Sequence, residues 1–429
     1  MSVAPAVCEE LQSPGIPPGQ LWRERNFSIF WGSRSLDAIG DAFAMIALPL
    51  LVLDATGSVT QMGLVTGIMG FGNLASGLFF GSAVDRYDRR KLIILCDVGR
   101  AATYTLVPLV WWLSGPSIAL IYIVAVATAY LSTSVLITST AIITNVVRQE
   151  QIVGANGLVQ STTALAFVLG PMLAGFTSKW VGAASSIVVI TLLYGVSAIQ
   201  MLFVRLRARA GAAQTDKGIE AGRRFESLLG GLRHALADPV LRAVLILLAI
   251  FALLAEGVID LVIFHLRHDL SQSDSATGFV FGIASLGAIL GGWLVPALRR
   301  KWGFGVCFIF GLILQGIAVA TIGLASSGVL IAELATAFTF ANTIMRVNTM
   351  SLRQQITPDR LLGRVSSLFS IAYTVPGAIG AAIASMIAHR VGPGPVLVVC
   401  GVLIIVVASV GTLSSARAKW PERAVVPVG

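Results

Sequence analysis

The chain has 429 residues, 56% of them hydrophobic and 12% charged, about half the charged share of a soluble domain. That excludes a soluble globular protein. At about 20 apolar residues per membrane-spanning helix, the length accommodates a dozen spans joined by short loops.

Residues 1–25 contain Pro, Glu and Arg but no apolar core of signal-peptide type, so nothing cleavable is expected, and the first span should serve as its own insertion signal. Apolar runs of spanning length follow at 27–53, 61–82, 92–114, 117–145, 153–176 and 181–204. After a polar stretch they resume at 241–266, 275–296, 304–324, 329–350, 365–388 and 395–413. The expected fold is therefore all-α and integral to the membrane, with twelve transmembrane helices in two pseudo-symmetric six-helix bundles. The expected division is a tail over 1–25, a bundle over 26–204, a linker over 205–239, a second bundle over 240–416 and a tail over 417–429.

The net charge of +9 could suggest nucleic acid, but the spans account for it. If both termini are cytoplasmic, the outer loops hold only Lys179, Arg267 and Arg390, while 24 Lys and Arg fall on the other side. An excess of positive charge on one side marks the cytoplasmic face, so both termini are expected there and no nucleic-acid partner is expected. The linker carries RLRAR and GRRFESLLGGLRHALADP, with Phe225, Leu228, Leu229, Leu232 and Leu236 on one helical face. That pattern suits an amphipathic helix on the membrane surface, either a plain linker or a regulatory docking segment.

The two halves repeat at an offset of about 211 to 219 residues. Gly63, Gly67 and Gly77 in span 2 recur as Gly278, Gly282 and Gly291 in span 8, a spacing that lets helices approach closely. Duplicated six-span units are the plan of a transporter that rocks around a central site.

Ionisable groups inside the bilayer cost about 2.5 to 3.5 kcal/mol each on insertion scales, so they face a cavity or a partner. Arg34, Asp37 and Asp41 share one face of span 1, and Asp41 lies about 21 Å along it, near mid-membrane. Span 7 carries Glu256 and Asp260, and span 10 carries Glu333 and Arg346. These seven residues form the expected cavity set. Its carboxylates outnumber its arginines, which favours cationic or neutral amphiphiles, or protons, over anions. Asp41 has two readings: a proton-exchanging site, or a member of an ion-pair network with Arg34 and Asp37 that only orders the helix.

The motifs of an enzyme are missing. His234, His265, His268 and His389 show no ligand spacing, Cys8, Cys96, Cys307 and Cys400 are scattered, and there is neither a GxxxxGK[ST] loop nor an HExxH helix. No metal, cofactor or catalytic residue is expected.

The loop GSAVDRYDRRK resembles the signature between spans 2 and 3 of the major facilitator superfamily. The resemblance places Gly81, Asp85, Arg86, Arg89, Arg90 and Lys91 at a cytoplasmic gate, with Asp88 where the family usually has Gly. Asp97 and Arg100 in LCDVGRA would extend the gate network or form a structural salt bridge. The segment AFVLGPMLAGF resembles the Gly-Pro motif of exporters in this superfamily through Gly170, Pro171 and Gly175, with Ala166 and Ala174 replacing glycines. Further likeness in SLDAIGDAF, LPLLVLDATGS, ANGLVQST and LLGRVSSLF is to the twelve-span branch of macrolide-type drug efflux pumps and siderophore exporters. Many proton-coupled relatives carry an intramembrane Arg in span 4, whereas here the only basic residue near it is Arg148, beyond its end.

The expected function is export of amphiphilic small molecules from a bacterial cytoplasmic membrane, by proton antiport and as a monomer. The alternatives are export of a single metabolite, such as a siderophore or self-made antibiotic, and a non-transporting membrane sensor.

Overall fold

The computed structural model describes residues 24–80, 83–84, 87–147, 151–206 and 232–421. The amphipathic face expected at Phe225, Leu228 and Leu229 lies outside them, as do Gly81, Asp85 and Arg86. Leu232 and Leu236 belong to a short helical run, 232–237.

Twelve helical spans are present among the described residues. In the first half these are α1 (Arg25–Thr56), α2 (Val59–Phe79), α3 (Arg89–Ser114), α4 (Ile118–Val146), α5 (Ile152–Val181) and α6 (Ala183–Met201). In the second, α7 (Pro239–Asp269) is followed by the run Asp274–Ile322, then α10 (Gly328–Ile356), α11 (Asp359–Val391) and α12 (Pro393–Gly411). The long run reverses at Gly303, whose φ of 79° is open to glycine at little cost. It is two spans, α8 over 274–302 and α9 over 304–322.

Local chemistry sets several of these boundaries. Ser58 and Ser273 accept hydrogen bonds from Gln61 N and Ala276 N, capping α2 and α8. Asp88 accepts from the backbone N–H groups of Arg90 and Lys91, so the residue that replaces the family glycine caps α3. Arg90 reaches the carbonyls of Met201 (3.1 Å) and Leu202, placing a cation at the negative end of α6. At α9 the free N–H groups of Phe304 and Gly305 donate to the carbonyls of Lys419 (2.8 Å) and Ala418 (3.1 Å), so the chain beyond α12 caps a helix of its own bundle.

The glycine stripes pack as a symmetric pair. Gly63 and Gly67 of α2 lie against Ser385, Ala381 and Ala378 of α11, and Gly278 and Gly282 of α8 lie against Pro171, Gly175 and Met172 of α5. Each stripe thus joins one bundle to the other. A fixed offset of 215 residues relates Gly63 to Gly278, Gly67 to Gly282, Ser58 to Ser273 and Asp41 to Glu256.

The buried apolar residues show where the bundles meet. One core cluster runs from Phe43, Leu48 and Met62 to Val258, Phe281 and Ala384, crossing between bundles at the end opposite the termini. At the end where α1 begins and α12 finishes the cores are separate: Phe27, Phe30 and Ile143 in one bundle, Phe304, Leu352 and Phe369 in the other. The molecule is closed at one end by a shared core and splits toward the other.

Candidate functional site

Where the bundles part, a cavity of about 360 Å³ lies between them. Ala44, Met45, Leu48, Met62, Met69, Tyr104 and Phe167 supply an apolar wall, and Asp41, Glu256 and Asp260 supply three carboxylates. Both bundles contribute, so the acids of α1 and α7 share one chamber.

Asp41 is the open end of a buried charge cluster. Gly40, one residue before it, leaves room for the Tyr194 ring of α6. The Tyr194 hydroxyl donates to Asp41 at 2.7 Å, and the Ser132 hydroxyl of α4 donates at 3.1 Å. Arg100 of α3 pairs with Asp41 at 3.3 Å, with Asp37 at 2.8 Å and with Asp97, while its guanidinium stacks over the Tyr194 ring 3.9 Å from the centroid. Arg34 pairs with Asp37 and, at 3.1 Å, with Asp97. Ser197 donates to Asp97 at 2.9 Å.

Four members of this cluster are sealed, with side chains at most 6% exposed, whereas the Asp41 side chain is 43% exposed. Removing one partner from such a buried network costs about 3 to 5 kcal/mol, because the remaining charge is stranded. Counted at formal charge, three carboxylates meet two guanidiniums, one negative charge in excess. Asp41 is the member through which that charge can be met from the cavity.

Asp97 and Arg100, expected either to extend the cytoplasmic gate network or to form a structural salt bridge, pair with each other and belong to this inner cluster. Both are fully buried, and Arg100, the twelfth residue of α3, is about 16 Å from the helix start. The same count of depth that located Asp41 places them inside the membrane, while their partners follow only from how α3 packs against α1 and α6. Arg100 also places a guanidinium against Ser132 of α4, at 3.3 Å, beside the span whose intramembrane arginine is missing.

In α7, Asp260 is 2% exposed and accepts a 2.6 Å hydrogen bond from the Thr66 hydroxyl of α2, across the bundle boundary. Glu256 packs against Gly377 of α11 and lies near Tyr373 and Arg346. Arg346 is exposed on α10, beside this acid. Glu333 is likewise exposed on α10, and neither it nor Arg346 is among the residues that line the cavity.

The exporter-like motif of α5 sits at the same seam. Gly170 packs against Ala42 and Phe43, next to Asp41, and Gly175 against Gly278. Pro171 has no N–H to offer the Phe167 carbonyl one turn earlier. That carbonyl accepts instead from Ser285 of α8 at 2.6 Å, so the proline opens a hydrogen-bond acceptor to the opposite bundle. Of the gate residues described, Arg89 donates to Asn145 of α4 at 2.8 Å, Arg90 holds the end of α6, and Lys91 is exposed. In the second half Arg299 reaches the Asn348 carbonyl of α10 at 3.4 Å and Gln355 at 2.6 Å.

Two helical bundles around an apolar chamber with a few buried charges define a membrane transporter. The family model for the Major Facilitator Superfamily matches residues 30–381, and the chain belongs to that family. Similar curated proteins include the enterobactin exporter EntS of Shigella flexneri, 24% identical over 374 residues that cover 84% of this chain and 86% of that one. The enterobactin exporter EntS of Escherichia coli O1:K1 is 23% identical over the same shares.

Among solved structures, the nucleoside transporter NupG matches with a TM-score of 0.74 at 11% identity, covering 91% of this chain and 98% of that one. A bacterial homolog of the human lysosomal transporter Spinster, inward-facing and unoccupied, matches with a TM-score of 0.73 at 15% identity, covering 94% and 98%. These structural likenesses support the fold. The protein is a multi-pass transporter of small molecules and not an enzyme.

Proposed function

We propose that this protein exports one class of amphiphilic metabolite from a bacterial cytoplasmic membrane, exchanging it for a proton at Asp41. The observation that carries the reading is the exposure of Asp41, alone among five clustered charges, into a chamber that also holds Glu256 and Asp260. A proton or a cationic group of the cargo meets the same excess charge, so binding of one displaces the other. With both termini cytoplasmic, as the loop charges favour, the split end faces the cytoplasm and the chamber stands ready to load cargo. A whole chamber is built within one chain, which supports a monomer as the working unit.

The likeness to enterobactin exporters favours a dedicated cargo of siderophore type. A broader drug-efflux reading draws support from Met45, Met62 and Met69 in the wall, since flexible thioether side chains repack around varied shapes. Accumulation of a varied compound panel in cells with and without the protein, repeated after collapse of the proton gradient, tests both. Reduced accumulation of one metabolite supports the first reading and of many unrelated compounds the second. No gradient-dependent difference for any compound rejects export by proton exchange.

A further inference from the structure

The closed end of the molecule carries a polar ring that the repeat does not explain. Arg267, at the end of α7, pairs with Asp54 at the end of α1 at 3.7 Å and with Asp274 at the start of α8 at 3.0 Å. Asp274 in turn accepts from the Ser178 hydroxyl of α5 at 2.8 Å. Asp54 and Ser178 belong to one bundle and Arg267 and Asp274 to the other, so the ring crosses the boundary twice.

Internal symmetry shows that Arg267 and Asp274 are an addition to one half, whereas Asp54 has a counterpart in Asp269. Ser58 and Ser273 occupy corresponding positions and cap corresponding helices, which secures the register there. At that register Arg267 corresponds to Val52 and Asp274 to Val59, both fully buried valines. The helix endings differ as well. α1 stays α-helical to Thr56 and stops on Gly57 at a φ of 62°, whereas α7 ends in a π-helical turn, His265–Asp269. In that turn the Leu270 N–H bonds the His265 carbonyl at 3.1 Å, His265 bridges Asp269 (2.7 Å) and the Ala325 carbonyl (3.1 Å), and His268 stacks on Phe264. A π-turn inserts a residue into the helical register, re-aims the side chain it carries, and is common at functional sites. Here the side chain at its centre is Arg267.

We propose that Arg267, presented by this π-turn, is a positioning residue for transport: it latches the closed end by tying Asp54 and Asp274 together, and its release lets the bundles part there. The ring is partly exposed, with side-chain accessibilities of 27%, 36% and 12% for Arg267, Asp54 and Asp274. That suits a latch that must open in every cycle, since exposed ion pairs are weak. The shared apolar core beneath it supplies most of the closure, and the ring sets its balance.

The inference builds on the alternating cycle of the proposed export but is tested without cargo. A single cysteine replaces Met62, which lies in the cavity wall beneath the closed end, and its labelling by a membrane-impermeant maleimide is followed from the side opposite the termini in intact vesicles, with the native cysteines alone as blank. Arg267→Gln and Asp54→Asn should each raise the labelling rate about two- to fivefold, in line with loss of one exposed pair. Arg267→Lys should stay near the parent, and the Arg267→Gln/Asp54→Asn double variant should not exceed Arg267→Gln. Unchanged labelling in Arg267→Gln, or equal increases in Arg267→Gln and Arg267→Lys, overturns the proposal. If Arg267→Gln does not insert, Asp54→Asn decides alone. Failure of proton-coupled export with the labelling shift intact would strike the functional reading and leave the latch.

Discussion

The Thr66 hydroxyl donates a 2.6 Å hydrogen bond to the Asp260 carboxylate, and that bond passes from one six-helix bundle to the other at the wall of the cavity. A buried carboxylate and a transport chamber thus share one contact that must break each time the bundles separate. A hydrogen bond contributes about 0.5 to 1.5 kcal/mol net. Thr66→Val should therefore shift the protein toward the form open at the end opposite the termini by about two- to tenfold. Measurement of cavity accessibility from that side checks it, and an unchanged accessibility contradicts the coupling of Asp260 to closure.

Arg100 pairs with three carboxylates at once. Arg100→Ala should destabilise the purified protein by about 3 to 5 kcal/mol. Arg100→Lys keeps the charge but loses the planar fork that spans three partners, so it should fold while losing transport rate. Thermal unfolding in detergent together with counterflow of a labelled substrate separates the two effects.

The Pro171 and Ser285 pair predicts a non-additive result. Ser285→Ala strands the Phe167 carbonyl and should cost about 1 to 2 kcal/mol. In a Pro171→Ala background the restored backbone N–H satisfies that carbonyl within α5, and the same Ser285→Ala change should cost close to nothing. A double-mutant cycle on thermal stability reads the difference; equal costs in both backgrounds would contradict the assignment.

Truncation of the chain after Ala416 should lower stability by about 1 to 2 kcal/mol, because the N–H groups of Phe304 and Gly305 lose the carbonyls of Ala418 and Lys419. A melting curve against the full chain checks it. The loss should localise to the second bundle, seen as faster hydrogen exchange at the start of α9.

The helix count was legible because apolar runs of spanning length are the strongest signal a sequence carries. Asp41 was legible by its depth along α1. The membership of Asp97 and Arg100 was not, because their place depends on α3 packing beside α1 and α6, and spacing along one helix shows only that they share a face. The repeat was visible in the glycines, and the offset of 215 set by Gly63 and Gly67 also pairs Asp41 with Glu256; the caps at Ser58 and Ser273 keep the same register. Arg267 stood out in the sequence merely as one of three basic residues on the sparsely charged side; its partners Asp54 and Asp274 come from two other helix ends, and no linear pattern connects them. The hydrogen bond from Ser285 to Phe167 follows from a proline whose consequence lies on another helix.

The claim at the centre of this account is that Asp41 exchanges a proton for cargo in a chamber shared by both bundles. The direct measurement is transport by Asp41→Asn in proteoliposomes, with counterflow and pH-gradient-driven movement of the same labelled substrate recorded side by side. The account predicts that counterflow persists while uphill movement driven by the gradient is abolished, since the variant keeps the shape and loses the titrating group. Gradient-driven transport at the wild-type level in Asp41→Asn would contradict it.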